Sequence, residues 1–102
     1  MTRTLRKFRT LAIATLFAAT ATAGDVSERV VVLHTRAGCA PCAQAVAWVR
    51  KNEAPFRVKV RGDSDGTVPR WEWSDADGKR WKIEGWRGPE TIRDIRRALE
   101  QH

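Results

Sequence analysis

The two cysteines of this chain, Cys39 and Cys42, are three residues apart, between a segment suited to a buried strand and a segment suited to a helix. Residues 30–33 are a continuous apolar run, and Pro41 suits the first turn of a helix. That first turn carries free N–H groups and a partial positive charge, which favour a thiolate on the first cysteine. Because a thiolate is the species that attacks disulfides, the spacing predicts a dithiol redox site.

Each cysteine has its own predicted role. Cys39 is the candidate nucleophile, because it lies at the helix start with Arg36 nearby in the sequence, and Cys42 is the candidate resolving thiol one turn further in. A structural disulfide is the alternative, but a bridge that closes so short a loop removes little entropy from the unfolded chain. A Cu(I) site on the same two sulfurs stays open. A closed zinc site would need a second cysteine pair, so we assign no metal ligands.

The first 23 residues are typical of a secretory signal peptide. A basic start at 1–9 precedes an apolar run at 11–21, and small residues occupy the two positions that determine cleavage, Ala21 and Ala23. The apolar run is shorter than the roughly 20 residues that a membrane-spanning helix needs. We therefore expect cleavage after Ala23, export, no stable membrane insertion of the product, and a periplasmic location in a bacterium.

Removal of this leader leaves one small domain, residues 24–102. The leader carries four of the 19 basic residues and no acidic residue, so the formal net charge falls from +7 to +3. The basic residues do not alternate with aromatic residues in the way that follows a phosphate backbone, and we expect no nucleic-acid binding. An exported chain with two cysteines can keep them as a disulfide.

The rest of the chain alternates strand and helix patterns. Residues 41–52 place apolar side chains on one helical face, and residues 56–61 alternate apolar and cationic side chains, as a half-buried strand does. Residues 70–74 and 80–84 alternate again around an Asp-Gly turn, which is typical of a hairpin. Pro89 then opens a last helix. The apolar stripe of that helix consists of Ile92, Ile95 and Leu99.

The order of these elements and three local motifs resemble the glutaredoxin branch of the thioredoxin superfamily, over nearly the whole mature chain. The motifs are the run 34–42 with Arg36 at the family's usual basic position, the triplet Thr67-Val68-Pro69, and the glycine-containing segment 85–89 before the last helix. The resemblance implies an α/β fold with a four-stranded mixed sheet of order 2-1-3-4. It also implies a cis peptide bond before Pro69, a Val68 backbone that pairs with an extended substrate, and thiol-disulfide exchange.

One departure from that family concerns the connection between the second strand and Pro69. The family places a helix there, but only the polar residues 62–66 are available. A connection that crosses the end of one strand spans on the order of 10 Å, and the seven residues between Arg61 and Pro69 reach about 23 Å, so a loop suffices. We therefore predict both helices on one face of the sheet and a charged face open to water. The side chains on the open face are those of Arg57, Lys59, Arg61, Arg70, Glu72, Lys82 and Glu84.

A second departure concerns glutathione. The acidic or hydroxyl residues with which the family holds the amino end of glutathione have no clear match in residues 86–90, whereas Arg36 and the Val68 backbone do match. Glutathione therefore stays an alternative beside the expected partners, which are protein or peptide thiols and disulfides. On the resemblance, Thr67 and Pro69 join Arg36 and Val68 as candidate substrate-binding residues. We expect a monomer, no cofactor beyond the redox-active disulfide, and an upstream redox partner of unknown identity.

Several features have two interpretations. Five tryptophans in so short a chain predict mainly core packing, with Trp71 and Trp73 on one face. Trp86 follows the last strand at the end of the sheet where the dithiol is expected, so a place at the rim of the substrate groove and a place in the core are both open. His34 is interpreted as a packed strand-end residue, with a metal ligand as the alternative. The rival for the whole domain is a non-catalytic binding module of an envelope assembly, whose cationic sheet face docks an acidic partner.

Overall fold

The computed structural model describes residues 25–102 and contains four strands and two helices there. The predicted signal peptide, 1–23, lies outside the described residues. Within the described part of the chain, no helix is both long enough and apolar enough to cross a membrane. After a short 3-10 turn at Val26–Glu28, the elements are β1 (Val30–His34), α1 (Ala40–Lys51), β2 (Arg57–Arg61), β3 (Arg70–Ser74), β4 (Arg80–Glu84) and α2 (Pro89–Gln101).

The four strands form one mixed sheet in the order β2-β1-β3-β4. β1 and β2 are parallel, with Val30 opposite Arg57. β3 is antiparallel to β1, with Leu33 opposite Trp71, and β3 and β4 form the predicted hairpin, with Trp71 opposite Ile83. The predicted α/β fold class and strand order are confirmed.

Both helices pack on the same face of the sheet, as predicted. Alternate residues of a strand point to opposite faces, and the apolar set of β1 and β3 meets the apolar sides of α1 and α2 in a single cluster. Trp71 is fully buried and Trp73 is 5% exposed, so the prediction that these two tryptophans form core is confirmed. The buried cluster consists of Val31, Leu33, Ala45, Phe56, Trp71, Trp73, Ile92, Ile95 and Leu99.

The opposite face of the sheet is open, because residues 62–69 contain neither helix nor strand and no described helix packs there. Val30, the first residue of β1 and on this face, is 49% exposed. The charged residues predicted for this face lie on the other three strands, with Arg57 opposite Val30, Glu72 opposite Val32 and Lys82 opposite Glu72. The sequence pattern therefore predicted correctly that a helix is missing and that the uncovered face is polar.

β2 is less buried than its alternating pattern predicts. Phe56, just before the strand, is 4% exposed, whereas Val60 within it is 40% exposed. Val60 lies beside Leu33 on the core side of the sheet. However, β2 is an edge strand with a neighbour on one side only. Alternation identified the correct face but overstated the depth of burial.

Arg29 ties the end of α2 to the sheet. Its guanidinium donates hydrogen bonds to the carbonyl oxygens of Leu99 at 3.3 Å and His102 at 3.2 Å, both at the end of α2. It also donates to the carbonyl oxygen of Ser74, at the end of β3, at 2.9 Å. A cation is favourable at a helix C terminus, where carbonyl groups lack partners within the helix.

Candidate redox site

The disulfide between Cys39 and Cys42 lies at the start of α1. Cys39 immediately precedes the helix in an extended backbone conformation, and its Sγ accepts a hydrogen bond from the backbone N–H of Cys42, with an N···S distance of 3.2 Å. Pro41 lies in the first turn, where its missing N–H removes no helical hydrogen bond. When the disulfide opens, this N–H and the helix N terminus both favour a negative charge on the Cys39 sulfur.

The two sulfur-bearing residues differ in exposure. Cys42 is only 2% exposed and belongs to the core, whereas Cys39 is half-buried. A reactant can therefore approach Cys39 but not Cys42 without a change in structure. A groove of about 400 Å³ lies beside the pair, and its lining carries cationic but no acidic side chains. The lining residues are Thr35, Arg36, Ala37, Gly38, Cys39, Cys42, Ala43, Val46, Ala47 and Arg50.

The loop before β3 faces the disulfide. The Val68–Pro69 peptide bond is cis, and the Val68 carbonyl oxygen lies 4.0 Å from Cys39 Sγ. Pro69 is fully buried, and its carbonyl oxygen accepts a hydrogen bond from the Gly85 N–H at 2.8 Å. Within the described residues, neither the N–H nor the carbonyl of Val68 takes part in a backbone hydrogen bond. The fold therefore brings a free backbone segment to the accessible sulfur.

Arg36 lies near the disulfide in the sequence, but its guanidinium binds the loop. Its Nη1 donates to the carbonyl oxygens of Ser64 at 3.1 Å and Gly66 at 3.0 Å. Thr67, another candidate substrate-binding residue, is exposed, and its carbonyl oxygen accepts a hydrogen bond from Arg70 at 3.0 Å. Both candidates therefore make contacts that shape the loop before Pro69.

Trp86 packs between two other tryptophans. Its ring centroid lies 5.9 Å from that of Trp71 and 6.2 Å from that of Trp48, and its side chain packs against the core cluster. It is half-buried and does not line the groove beside the disulfide. Its link to the site runs through its neighbour Gly85, which donates to Pro69.

A polar network near the site was not predicted from the sequence. His34 Nδ1 lies 3.0 Å from Ser64 Oγ, and His34 Nε2 lies 2.9 Å from Glu72 Oε1. Glu72 also accepts a hydrogen bond from Arg70 Nε at 2.9 Å. Burial opposes ionisation of Glu72, but the hydrogen bonds from Arg70 and His34 and their electrostatic attraction to the carboxylate outweigh it and lower the pKa of Glu72.

His34 is 9% exposed, in agreement with its interpretation as a packed strand-end residue. The sequence gives one weak indication of the network, because His34 and Glu72 both fall in predicted strands and the resemblance makes those strands neighbours. Their pairing required the β1–β3 register. In residues 25–102, no group of three or more His, Cys, Asp or Glu side chains is arranged to hold a metal ion.

No protein-family model matches the chain, and no curated protein matches it either. The four-stranded mixed sheet and the disulfide at a helix start are compatible with a thioredoxin-like fold. Such a disulfide is compatible with a redox role.

Proposed function

We propose that this chain is an exported thiol-disulfide oxidoreductase, which exchanges disulfides with protein or peptide thiols through Cys39 and Cys42. The observation that carries the proposal is the asymmetry of the pair. Cys39 is half-buried, caps the helix and lies beside the free Val68 backbone, while Cys42 is enclosed in the core. A structural disulfide needs no accessible sulfur, whereas exchange requires one. Residues 1–23 of the sequence support the export part of the proposal.

The exchange proceeds in two displacement steps. In the oxidised protein, a substrate thiolate attacks Cys39 Sγ, the Cys39–Cys42 bond breaks, and its electron pair leaves with the Cys42 sulfur as a thiolate. A second substrate thiolate then attacks the substrate sulfur of the mixed disulfide and releases Cys39 as a thiolate. The substrate loses two electrons and gains a disulfide, and the cysteine pair gains the two electrons. The reverse sequence, begun by the Cys39 thiolate, reduces a substrate disulfide.

The local backbone supports the departure of Cys39 in the last step. The Cys42 N–H, 3.2 Å from Cys39 Sγ, is already aimed at the sulfur that becomes charged. A hydrogen bond to a charged acceptor is roughly twice as strong as one to a neutral acceptor. The same interaction stabilises Cys39 as the attacking thiolate in the reductive direction. The direction used is set by the reduction potential of the pair and by its redox partner.

The substrate is proposed to lie across Val68 and Cys39. An extended polypeptide can pair with the free N–H and carbonyl of Val68, as a strand added to a sheet edge does. Its sulfur then reaches Cys39, whose Sγ is 4.0 Å from the Val68 carbonyl oxygen. Glutathione is the small-thiol alternative, and competition between glutathione and a peptide thiol for the oxidised protein separates the two.

The test uses two single substitutions. Cys39→Ser abolishes reduction of an insulin-type disulfide by the reduced protein, because no nucleophile remains. Cys42→Ser keeps the first attack but not the resolution, so it accumulates mixed disulfides with its partners through Cys39. These adducts are identified by non-reducing electrophoresis and mass spectrometry. Wild-type activity in Cys39→Ser contradicts the proposal.

The open sheet face favours one second candidate, a binding module for an acidic partner. Val30, at the start of β1 on this face, is 49% exposed, Arg57 lies opposite it on β2, and β4 adds Arg80 and Lys82 to the same face. A cysteine pair that fails to exchange with thiols, together with salt-sensitive binding of an acidic polypeptide, favours this candidate. Copper retained stoichiometrically through purification favours a Cu(I) carrier.

A further inference from the structure

Two arginines hold the loop between β2 and β3 through hydrogen bonds to its carbonyl groups, and the carbonyls bound by one arginine alternate with those bound by the other. The oxygens of four consecutive residues, 64–67, accept hydrogen bonds from only two nitrogen atoms. Arg36 Nη1 donates to the carbonyl oxygens of Ser64 at 3.1 Å and Gly66 at 3.0 Å. Arg70 Nη1 donates to the carbonyl oxygens of Asp65 at 2.9 Å and Thr67 at 3.0 Å. The loop ends directly at Val68, whose backbone faces Cys39.

Arg70 is itself held in place. Its Nε donates to Glu72 Oε2 at 2.9 Å, and its side chain is only 16% exposed. The other oxygen of Glu72 lies 2.9 Å from His34 Nε2, and His34 Nδ1 lies 3.0 Å from the hydroxyl of Ser64, back in the loop. The network thus forms a closed path from the loop through the sheet and back. Arg36, by contrast, is itself an exposed residue.

Gly66 shows how closely the loop approaches Arg70. Its φ is +81°, in the region that favours glycine, and a Cβ added there would lie 3.3 Å from Arg70 Nη1. The path of the loop and the position of the guanidinium therefore depend on each other.

We propose that Arg70 and Arg36 are positioning residues that hold the Val68 backbone ready for polypeptide substrates, an inference that rests on the proposed exchange activity. Residues 62–69 contain no helix or strand to hold them, so an unrestrained loop would have to be ordered when a substrate binds. Hydrogen bonds from the two guanidinium groups order it beforehand. A polypeptide that pairs with Val68 gains from this, whereas a small disulfide needs only to reach the Cys39 sulfur. The two arginines therefore select for polypeptide substrates.

The test compares two substrates across four variants. Reduced wild type, Arg70→Ala, Arg70→Lys, Arg36→Ala and the control Lys82→Ala react with a disulfide-linked peptide and with an aromatic small-molecule disulfide. Lys82 is also a cation on the open face, but it pairs with Glu84 and, among the described residues, donates no hydrogen bond to the loop. Arg70→Ala is expected to slow the peptide reaction by about tenfold to hundredfold. The small-disulfide reaction is expected to stay within about twofold, and Lys82→Ala to leave both reactions unchanged.

Arg70→Lys separates positioning from charge. A lysine keeps the positive charge, but its single nitrogen cannot lie both beside Glu72, where Arg70 Nε donates, and beside the two loop carbonyls, where Arg70 Nη1 donates. We expect it to be as slow with the peptide as Arg70→Ala. Full rescue by lysine, an equal loss with both substrates, or an unchanged peptide rate in Arg70→Ala each overturns the inference.

The loop itself supplies an independent readout. Backbone amide relaxation by NMR is expected to show faster motion for residues 64–68 in Arg70→Ala, and a smaller change in Arg36→Ala, since Arg36 is exposed. An unchanged loop overturns the inference whatever the kinetics. If wild type reacts with neither disulfide, the proposed function fails while the relaxation data still decide the role of the arginines. If Arg70→Ala does not fold, Arg36→Ala carries the comparison, with a peptide-selective loss expected.

Discussion

Replacement of Trp71 by phenylalanine tests how the core supports the loop that carries Pro69. Trp71 is fully buried, its Nε1–H donates to the Gly85 carbonyl oxygen at 3.2 Å, and the Gly85 N–H donates to the Pro69 carbonyl oxygen at 2.8 Å. The substitution removes roughly 35–40 Å³ of side chain, which costs about 1 kcal/mol at about 24 cal/mol per Å³ of cavity. It also deprives the Gly85 carbonyl of its indole donor, which costs about 1–3 kcal/mol. The expected loss in the free energy of unfolding is therefore about 2–4 kcal/mol.

Trp73→Phe is the matched control. Trp73 lies on the same strand and face and is 5% exposed, but its buried Nε1 has no hydrogen-bond partner among the described residues. Phenylalanine here removes a similar volume and also removes an unsatisfied N–H. The two effects oppose each other, so the expected change is below about 1 kcal/mol.

Urea unfolding of the oxidised proteins, followed by far-ultraviolet circular dichroism, measures both changes. A domain of this size has a total stability of about 4–12 kcal/mol, so a loss of about 2–4 kcal/mol in Trp71→Phe lowers the melting temperature by roughly 10–30 °C. Equal destabilisation by the two substitutions, or a larger loss in Trp73→Phe, refutes the assigned role of the indole hydrogen bond.

Two further predictions concern the polar contacts. Because the pKa of Glu72 is lowered in the folded protein, its carboxylate is protonated at a higher pH in the unfolded chain than in the folded protein. Glu72 therefore stabilises the fold above about pH 5 and loses this effect as the pH falls through its folded pKa. Glu72→Gln is expected to reduce this pH dependence, measured as urea midpoints between pH 3 and pH 6, and an unchanged slope contradicts it. Arg29→Ala is expected to lower the free energy of unfolding by about 1.5–3 kcal/mol, because it removes a charged donor from the end of α2. The exposed Arg57→Ala, measured in the same denaturation series, should cost less than about 0.5 kcal/mol, and equal losses in the two variants rule out the capping role of Arg29.

Local patterns predicted much of the architecture. The Asp-Gly turn between two alternating runs predicted the β3–β4 hairpin, and the charged alternation around Glu72 predicted that one face of the sheet has no helix on it. The low burial of the edge strand β2 was not predictable from its pattern. Val60 follows the alternation but is 40% exposed, because a strand's own sequence does not show how many neighbours it has.

The candidate site was predictable only where its residues are close in the sequence. The spacing of Cys39 and Cys42 placed both cysteines at the helix start, where they form the disulfide. The direction of the Arg36 side chain was not predictable, because its hydrogen-bond acceptors lie 28 and 30 residues away. Trp86 likewise has its neighbours on α1 and β3.

By itself, the sequence determined the elements, their order, the cysteine pair at the helix start and the polar nature of the open face. These follow from periodicity and turn chemistry, which act over a few neighbouring residues. Only the tertiary structure decided that Cys42 is enclosed while Cys39 is accessible, and that Arg36 and Arg70 divide four carbonyl groups between them. Burial and side-chain pairing depend on which distant segments meet in space, and strand register and helix packing set those meetings.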